Sequence, residues 1–418
     1  MTTREEKAVL QTKETSTITK IENGSVITPK GFSADGVHAG LRYSKNDLGV
    51  IFSEVPANCA AVYTQSHFQA APLIVTQESI AKEGILQAIV VNSANANACT
   101  GEQGLKDAYE MRERSANILQ IEKHYVAVAS TGVIGEFLKM DKIRNGIDLL
   151  KPEATEEAAI DFQQAILTTD LVMKASCYEV MIDGKKVTIG GAAKGSGMIH
   201  PNMATMLAFV TTDAKIDSES LQSLLSETTD KTYNQITVDG DTSTNDMVVV
   251  MANGLADNEP LTKNHPEWEA FKSAFQAVSE ELAKQIAKDG EGATKLIEVE
   301  VTGAKTKQEA NVVAKKIVGS SLVKTAVYGA DANWGRIICA VGYSEAAVEP
   351  EKIDIFLEDL CLFTNNSPQP FSEEVAAEYL KRDQVKILVN LGVGEETGKA
   401  WGCDLTYDYV KINASYRT

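Results

Sequence analysis

Candidate reactive side chains gather around one stretch, KGSGMIHPNMATMLAFVTTDA, residues 194–214. At its centre is the pair Ala204-Thr205. Ahead of the pair runs a turn-prone segment with Gly190, Gly191, Gly195, Gly197 and His200-Pro201-Asn202. Behind it, Met206–Val210 is an apolar run of strand length, expected to be buried on both faces. If the peptide bond before Thr205 is cut, its hydroxyl and a new α-amine share one residue. Such an amine has a pKa of about 8, near enough to neutrality to take the hydroxyl's proton. A threonine activated by its own amine is an established kind of nucleophile. The residues alone also fit an ordinary strand threonine, because small-residue–Thr pairs are common.

Other segments offer parts that a nucleophile would need. Val126 and Val128 alternate as in a strand, and Ser130-Thr131-Gly132 reads as the turn at its end. A hydroxyl beside a glycine N–H could serve as an oxyanion hole or be a plain turn. Lys194 is the only cationic residue between Lys186 and Thr205. In a glycine-rich loop it is either solvated or a point charge for an anion. Thr168-Thr169-Asp170 ends a helical pattern and fits a capping turn, and Glu291 fits a surface turn. Asn92, Asn95 and Asn97 fit turn chemistry. Asp239, Asp241 and Asp246 raise the question of a metal, but the run lacks the terminal Glu of a calcium loop, and we expect none. Gly392, Gly394 and Gly398-Lys399 miss the phosphate-loop spacing, with Ala400 where Ser or Thr is required.

The 194–214 stretch resembles the self-cleavage segment of the glutamate N-acetyltransferase (ornithine acetyltransferase) family of arginine biosynthesis. The similarity covers about residues 26–418 and is sharpest at Ser130–Gly135, Lys194–Ala214, Thr237–Asp246, Gly329–Ile337 and Trp401–Thr418. Ala94 stands where that pattern leads one to expect glycine, and Lys139 and Ala332 replace prolines. The resemblance implies self-cleavage between Ala204 and Thr205, after which Thr205 takes the acetyl group of N-acetylornithine and passes it to glutamate. It implies that Thr131 and Gly132 hold the oxyanion, and that Thr168, Lys194, Thr205, Glu291, Asn413 and the C-terminal Thr418 contact substrate. It further implies no cofactor, an α2β2 assembly of the cleaved chains, and a layered α/β fold resembling N-terminal-nucleophile hydrolases with different connectivity. Some members of the family also accept acetyl-CoA as donor. An amidohydrolase or aminopeptidase with the same nucleophile, and a non-catalytic binding protein, are the competing readings.

The scaffold that carries these side chains is legible in outline. The chain of 418 residues is too long for one simple core, and its apolar and charged shares are ordinary for a soluble globular protein. Acidic residues exceed basic ones, 58 to 40, a net charge of −18 that argues against nucleic acid or an anionic membrane as partner. Six scattered cysteines without a CxxC pair are expected as buried free thiols. The N-terminus lacks the apolar core of a secretory signal, and no membrane span is expected, so the expected location is the cytoplasm. We read residues 1–24 as a polar arm, 25–204 as one chain after cleavage and 205–418 as the second, the two sharing one body.

Periodicity predicts helices over Gly101–Gln120, residues 153–167, from near Ser218, and over 266–288, the longest. A further helix is expected with Thr76 as its cap, and Asp183-Gly184 signals a type I′ hairpin turn. Residues 321–344 are expected to combine a helix, a turn and a buried strand, and 398–412 two strands around a turn. Helix and strand patterns alternate without a regular βαβ period, which favours layered sheets over a barrel.

Overall fold

Val, Met, Leu, Phe and Ala are spread over both sides of the strands Leu207–Thr212 and Met247–Ala252, every residue of which is buried. A strand hydrophobic on both faces belongs in the middle of a sheet covered on both sides, and that is where the computed structural model, which describes residues 18–200 and 206–415, has them. Ala208, Val210, Val248 and Val250 face one hydrophobic cluster; Leu207, Phe209, Met247, Val249 and Met251 face another. The expected double burial of the 206–210 run holds.

Among the described residues the larger sheet has nine strands. Its order is Thr19–Lys20, Lys174–Ile182, Lys185–Lys194, Leu207–Thr212, Met247–Ala252, Leu48–Tyr63, Ile85–Asn95 and Val126–Val133, with Phe32–Val37 paired to Leu48–Tyr63. Leu207–Thr212 runs antiparallel to Lys185–Lys194 and parallel to Met247–Ala252. A second sheet of seven strands is built around Leu296–Ala304, between Gln384–Asn390 and Glu396–Cys403. The helix Trp268–Lys288 lies between the sheets. Its residues Phe271, Phe275, Val278, Leu282 and Ile286 share a core with Ile189 and Val210 of one sheet and Leu296 and Trp401 of the other. The result is an α/β layered sandwich, as expected.

The predicted helices form at Gly101–Leu119, Glu156–Ala165, Ser218–Lys231 and Trp268–Lys288. Asp183 and Gly184 both have positive φ, 51° and 70°, as a type I′ turn requires. Several expectations fail. Thr76 is no cap, because the helix starts earlier, at Ala71 with Pro72 in its first turn. The Thr76 hydroxyl instead donates to the carbonyl of Val128 at 2.8 Å. The buried strand expected after residue 330 is the helix Trp334–Gly342, and the last expected strand is the helix Tyr407–Ser415. Of the cysteines, Cys59, Cys177 and Cys403 are buried, but Cys99 and Cys339 are exposed. No helix among the described residues is long and apolar enough to cross a membrane.

Candidate active site

Lys194 is the last residue of the strand Lys185–Lys194, where the hairpin delivers it, nearly buried, to the edge of a cleft. Its Nζ donates to Thr168 Oγ1 at 2.8 Å and reaches Thr131 Oγ1 at 3.5 Å. Asp170 Oδ2 lies 3.9 Å away. Burial pulls the Lys194 ammonium below its ordinary pKa, and the Asp170 charge opposes that pull. Burial alone would likewise raise the Asp170 carboxyl, yet the Lys194 and Lys174 charges hold it well below the usual carboxylate range. Asp170 also accepts the N–H groups of Gly195 (2.7 Å) and Thr168 (2.9 Å). Thr168-Thr169-Asp170 is therefore more than a cap: Asp170 fixes the loop while Thr168 faces the cleft.

Thr131 and Gly132 do not form a turn after their strand; they continue it, since pairing to Ile85–Asn95 persists through Val133. Gly132 is opposite Ala94 in that parallel pair. A Cβ on Gly132 would come within 2.2 Å of the Ala94 backbone, and the Gly132 φ is 126°. Ala94 itself has φ 114°, a value glycine favours, which agrees with the departure noted in the sequence. The asparagines here are structural: Ser130 Oγ donates to Asn92 Oδ1 at 2.5 Å, and Asn97 Nδ2 donates to the Gly104 carbonyl at 2.8 Å.

Across the cleft stands Glu291, 7 % exposed. Asn413, on the helix Tyr407–Ser415, donates to Glu291 Oε2 at 2.7 Å. The carboxylate approaches Gly197 so closely that a Cβ there would meet it at 2.4 Å. Asp239 holds the intervening loop by accepting the N–H groups of Met198 (2.6 Å) and Ile199 (2.9 Å). The Tyr409 hydroxyl is pushed up by burial and by the Asp239 and Glu291 charges. His200 Nδ1 is 2.9 Å from Thr237 Oγ1, which donates to the Ile199 carbonyl.

Thr131, Gly132, Thr168, Lys194, Glu291 and Asn413 thus line one cleft of about 380 Å³, together with Ile199 and Met206. Ala204, Thr205 and Thr418 lie outside the described residues. Three parts of the site were not legible in the sequence. Lys174, wholly buried, bridges Asp170 at 2.8 Å and Asp289 at 2.6 Å. Asp239 serves the loop backbone. Asp246, at the cleft wall, has one buried oxygen, Oδ2, without a hydrogen-bond partner among the described residues. The clustering of Asp239, Asp241 and Asp246 was a signal for that wall, but not for what each carboxyl does.

A layered α/β body whose cleft is lined by the Lys194 cation, the Glu291–Asn413 pair and further carboxyls has the form of a small-molecule site. Comparison with known proteins makes the assignment specific: the chain belongs to the ArgJ family, whose model matches residues 33–418. It is 66 % identical over 407 residues to the arginine biosynthesis bifunctional protein ArgJ of Geobacillus kaustophilus, covering 97 % of this chain and 99 % of that one. The protein of the same name from Bacillus subtilis is 66 % identical over 395 residues, covering 94 % and 97 %. Among solved structures, the Bacillus halodurans arginine biosynthesis bifunctional protein is 63 % identical, at TM-score 0.45, over 46 % of this chain and 100 % of that chain. An ornithine acetyltransferase from Mycobacterium tuberculosis, in complex with ornithine, is 36 % identical at TM-score 0.42, over 45 % and 100 %.

Proposed function

We propose that this protein is a self-cleaving acetyltransferase that moves the acetyl group of N-acetylornithine to glutamate. The observation that carries the reading is the cleft. It brings Thr131, Gly132, Thr168, Lys194, Glu291 and Asn413 together, and its lining includes Ile199 and Met206, which bracket Ala204-Thr205 in the chain. Family membership and the relatives' name, arginine biosynthesis bifunctional protein, support a role in the same biosynthesis.

In this reading Thr205 Oγ first attacks the Ala204 carbonyl, and water opens the resulting ester. The freed α-amine, with a pKa of about 8, then serves as base for the same hydroxyl. Thr205 Oγ attacks the acetyl carbonyl of N-acetylornithine, and the Thr131 hydroxyl and Gly132 N–H stabilise the oxyanion. Ornithine leaves, glutamate attacks the acetyl-threonine, and N-acetylglutamate departs. Lys194 faces a substrate carboxylate as a point charge; Glu291, steadied by Asn413, receives an ammonium group. Thr168 and Thr418 complete the pocket. Acetyl-CoA is the second donor to be tried, the two cleaved chains assemble as α2β2, and the enzyme works in the cytoplasm.

The test is intact mass of the wild type beside Thr205→Ala, followed by transfer assays with both donors. Two fragments meeting at Ala204/Thr205, absent in the mutant, and glutamate-dependent loss of N-acetylornithine are expected. An uncut and inactive wild-type chain would refute the proposal. Steady acetate release without glutamate would make the protein a hydrolase instead.

A further inference from the structure

Three consecutive residues tie the halves of the cleft together. Asn245 Nδ2 donates to the carbonyls of Ala96 (2.6 Å) and Ser130 (2.8 Å), the latter just ahead of Thr131. The Met247 N–H donates to the Met206 carbonyl at 2.9 Å, one residue beyond Thr205 in the chain. Asp246, between them, is held from below, where its own carbonyl accepts the Thr64 N–H at 3.0 Å. Asp246 lines the cleft and is only 3 % exposed, and among the described residues its Oδ2 has no hydrogen-bond partner. Leaving a buried oxygen unsatisfied is unfavourable, so one retained in a substrate cleft calls for an occupant.

The chemistry of acetyl exchange supplies one, given the ping-pong reading above, on which this inference rests. In water the departing and the arriving amino acid both carry their α-nitrogen as ammonium. At the moment of bond breaking or making, however, that nitrogen must be a neutral amine. Each half-reaction therefore needs one proton beyond the proton that Thr205 Oγ gives up and regains through its own amine. We propose that Asp246 carries this proton through its unpartnered oxygen, making it a further catalytic residue. In the first half-reaction the C–N bond of N-acetylornithine breaks and the Oγ–acetyl bond forms. The Thr205 proton makes the leaving nitrogen a neutral amine, the Asp246 acid adds the second, and ornithine departs as ammonium. In the second, the Asp246 carboxylate takes a proton from glutamate's ammonium, the free amine attacks the acetyl-threonine, and the Oγ–acetyl bond breaks. The carboxyl ends as it began.

The surroundings suit that role. Burial raises the Asp246 carboxyl well above its ordinary value, while the Ser243 hydroxyl and N–H and the Lys194 charge draw it back. Lys194 faces it from the strand end, and Asp239, Asp241, Glu291 and Tyr409 line the same cleft. A carboxyl raised in this way keeps its proton more readily than an ordinary one, as a general acid must.

The experiment uses the full-length mature protein and separates the two half-reactions in Asp246→Asn, which keeps the shape but carries no exchangeable acid proton. The native pair is N-acetylornithine and glutamate. The control pair is p-nitrophenyl acetate, whose phenolate leaves without a proton, and hydroxylamine, which is already a free base at neutral pH. The variant is expected to match wild type with the control pair and to lose about 100-fold in each native half-reaction, the usual worth of general acid–base catalysis. Its glutamate step should recover as pH rises and frees the amine. Equal losses with both pairs, or none with either, would overturn the proposal. A wild type that forms no acetyl-enzyme from N-acetylornithine would instead refute the ping-pong reading. Should Asp246→Asn stay uncleaved, Ser243→Ala tests the same point. Losing a hydrogen bond to the ionised form must shift the rising limb of the glutamate step to higher pH, and an unmoved profile overturns the proposal.

Discussion

Lys174 stands 2.6 Å from Asp289, joining the start of the hairpin that ends at Lys194 to the helix end that leads into Glu291. With Asp170 at 2.8 Å and the Val172 carbonyl at 3.2 Å, each of the three Lys174 protons has a partner. Removing the ammonium strands two carboxylates in a dry site. Lys174→Met is expected to cost about 3–5 kcal/mol in urea unfolding, as for other broken buried pairs. The exposed pair Lys381–Glu378 is the contrast: Lys381→Ala should change stability by less than about 1 kcal/mol. Equal effects at the two sites would contradict this account.

Gly197 is small because Glu291 occupies the space a side chain would take. Gly197→Ala should push the carboxylate away and loosen its bond from Asn413. A hydrogen bond to a charged group is worth about 1.5–3 kcal/mol, so the variant should raise KM by roughly 10- to 100-fold. Urea midpoints measured alongside should stay near wild type, because the loop's ties to Asp239 remain.

Ala94 sits at φ 114°, where a side chain is strained by about 1–3 kcal/mol. Glycine relieves that strain at an entropic cost of about 0.5–1 kcal/mol. Ala94→Gly is expected to stabilise the fold by about 1 kcal/mol and raise Tm by about 2 °C. A lower Tm would show that the methyl group's packing outweighs the strain.

His200 responds to acid. Burial, with help from the Lys315 and Lys316 charges, lowers its pKa to about 4. The unfolded chain holds it near 6.5, so between those values the unfolded state binds the extra proton. The His200 contribution is therefore complete above pH 6.5 and is lost as pH falls toward 4. In His200→Asn the slope of unfolding free energy over that window should flatten relative to wild type; parallel slopes would assign the acid response elsewhere.

How much of this was legible in the sequence depended on the range of the interaction. Local signals worked: the Asp183-Gly184 turn, the 3.6-residue period of Trp268–Lys288, and the double-sided apolar run after Met206. Context overrode propensity in Trp334–Gly342, whose β-branched and apolar run resembles a strand but forms an amphipathic helix against the second sheet. Thr76 has the chemistry of a cap, yet its partner is Val128, far along the chain. The cleft residues were readable through motif resemblance. The Lys174 bridge was not, because Asp170 and Asp289 meet only when the hairpin and the long helix pack, and no spacing encodes that meeting.

Leu207–Thr212 and Met247–Ala252 come from beyond the proposed cut, yet they are flanked in the sheet by Lys185–Lys194 and Leu48–Tyr63 from before it. The two pieces would be woven through one another like the fingers of clasped hands. Pulling them apart means stripping hydrogen-bonded strands from both sides, not parting two surfaces. Such a nicked molecule would not come apart on dilution, and its pieces would keep a fixed one-to-one ratio for as long as the fold lasts.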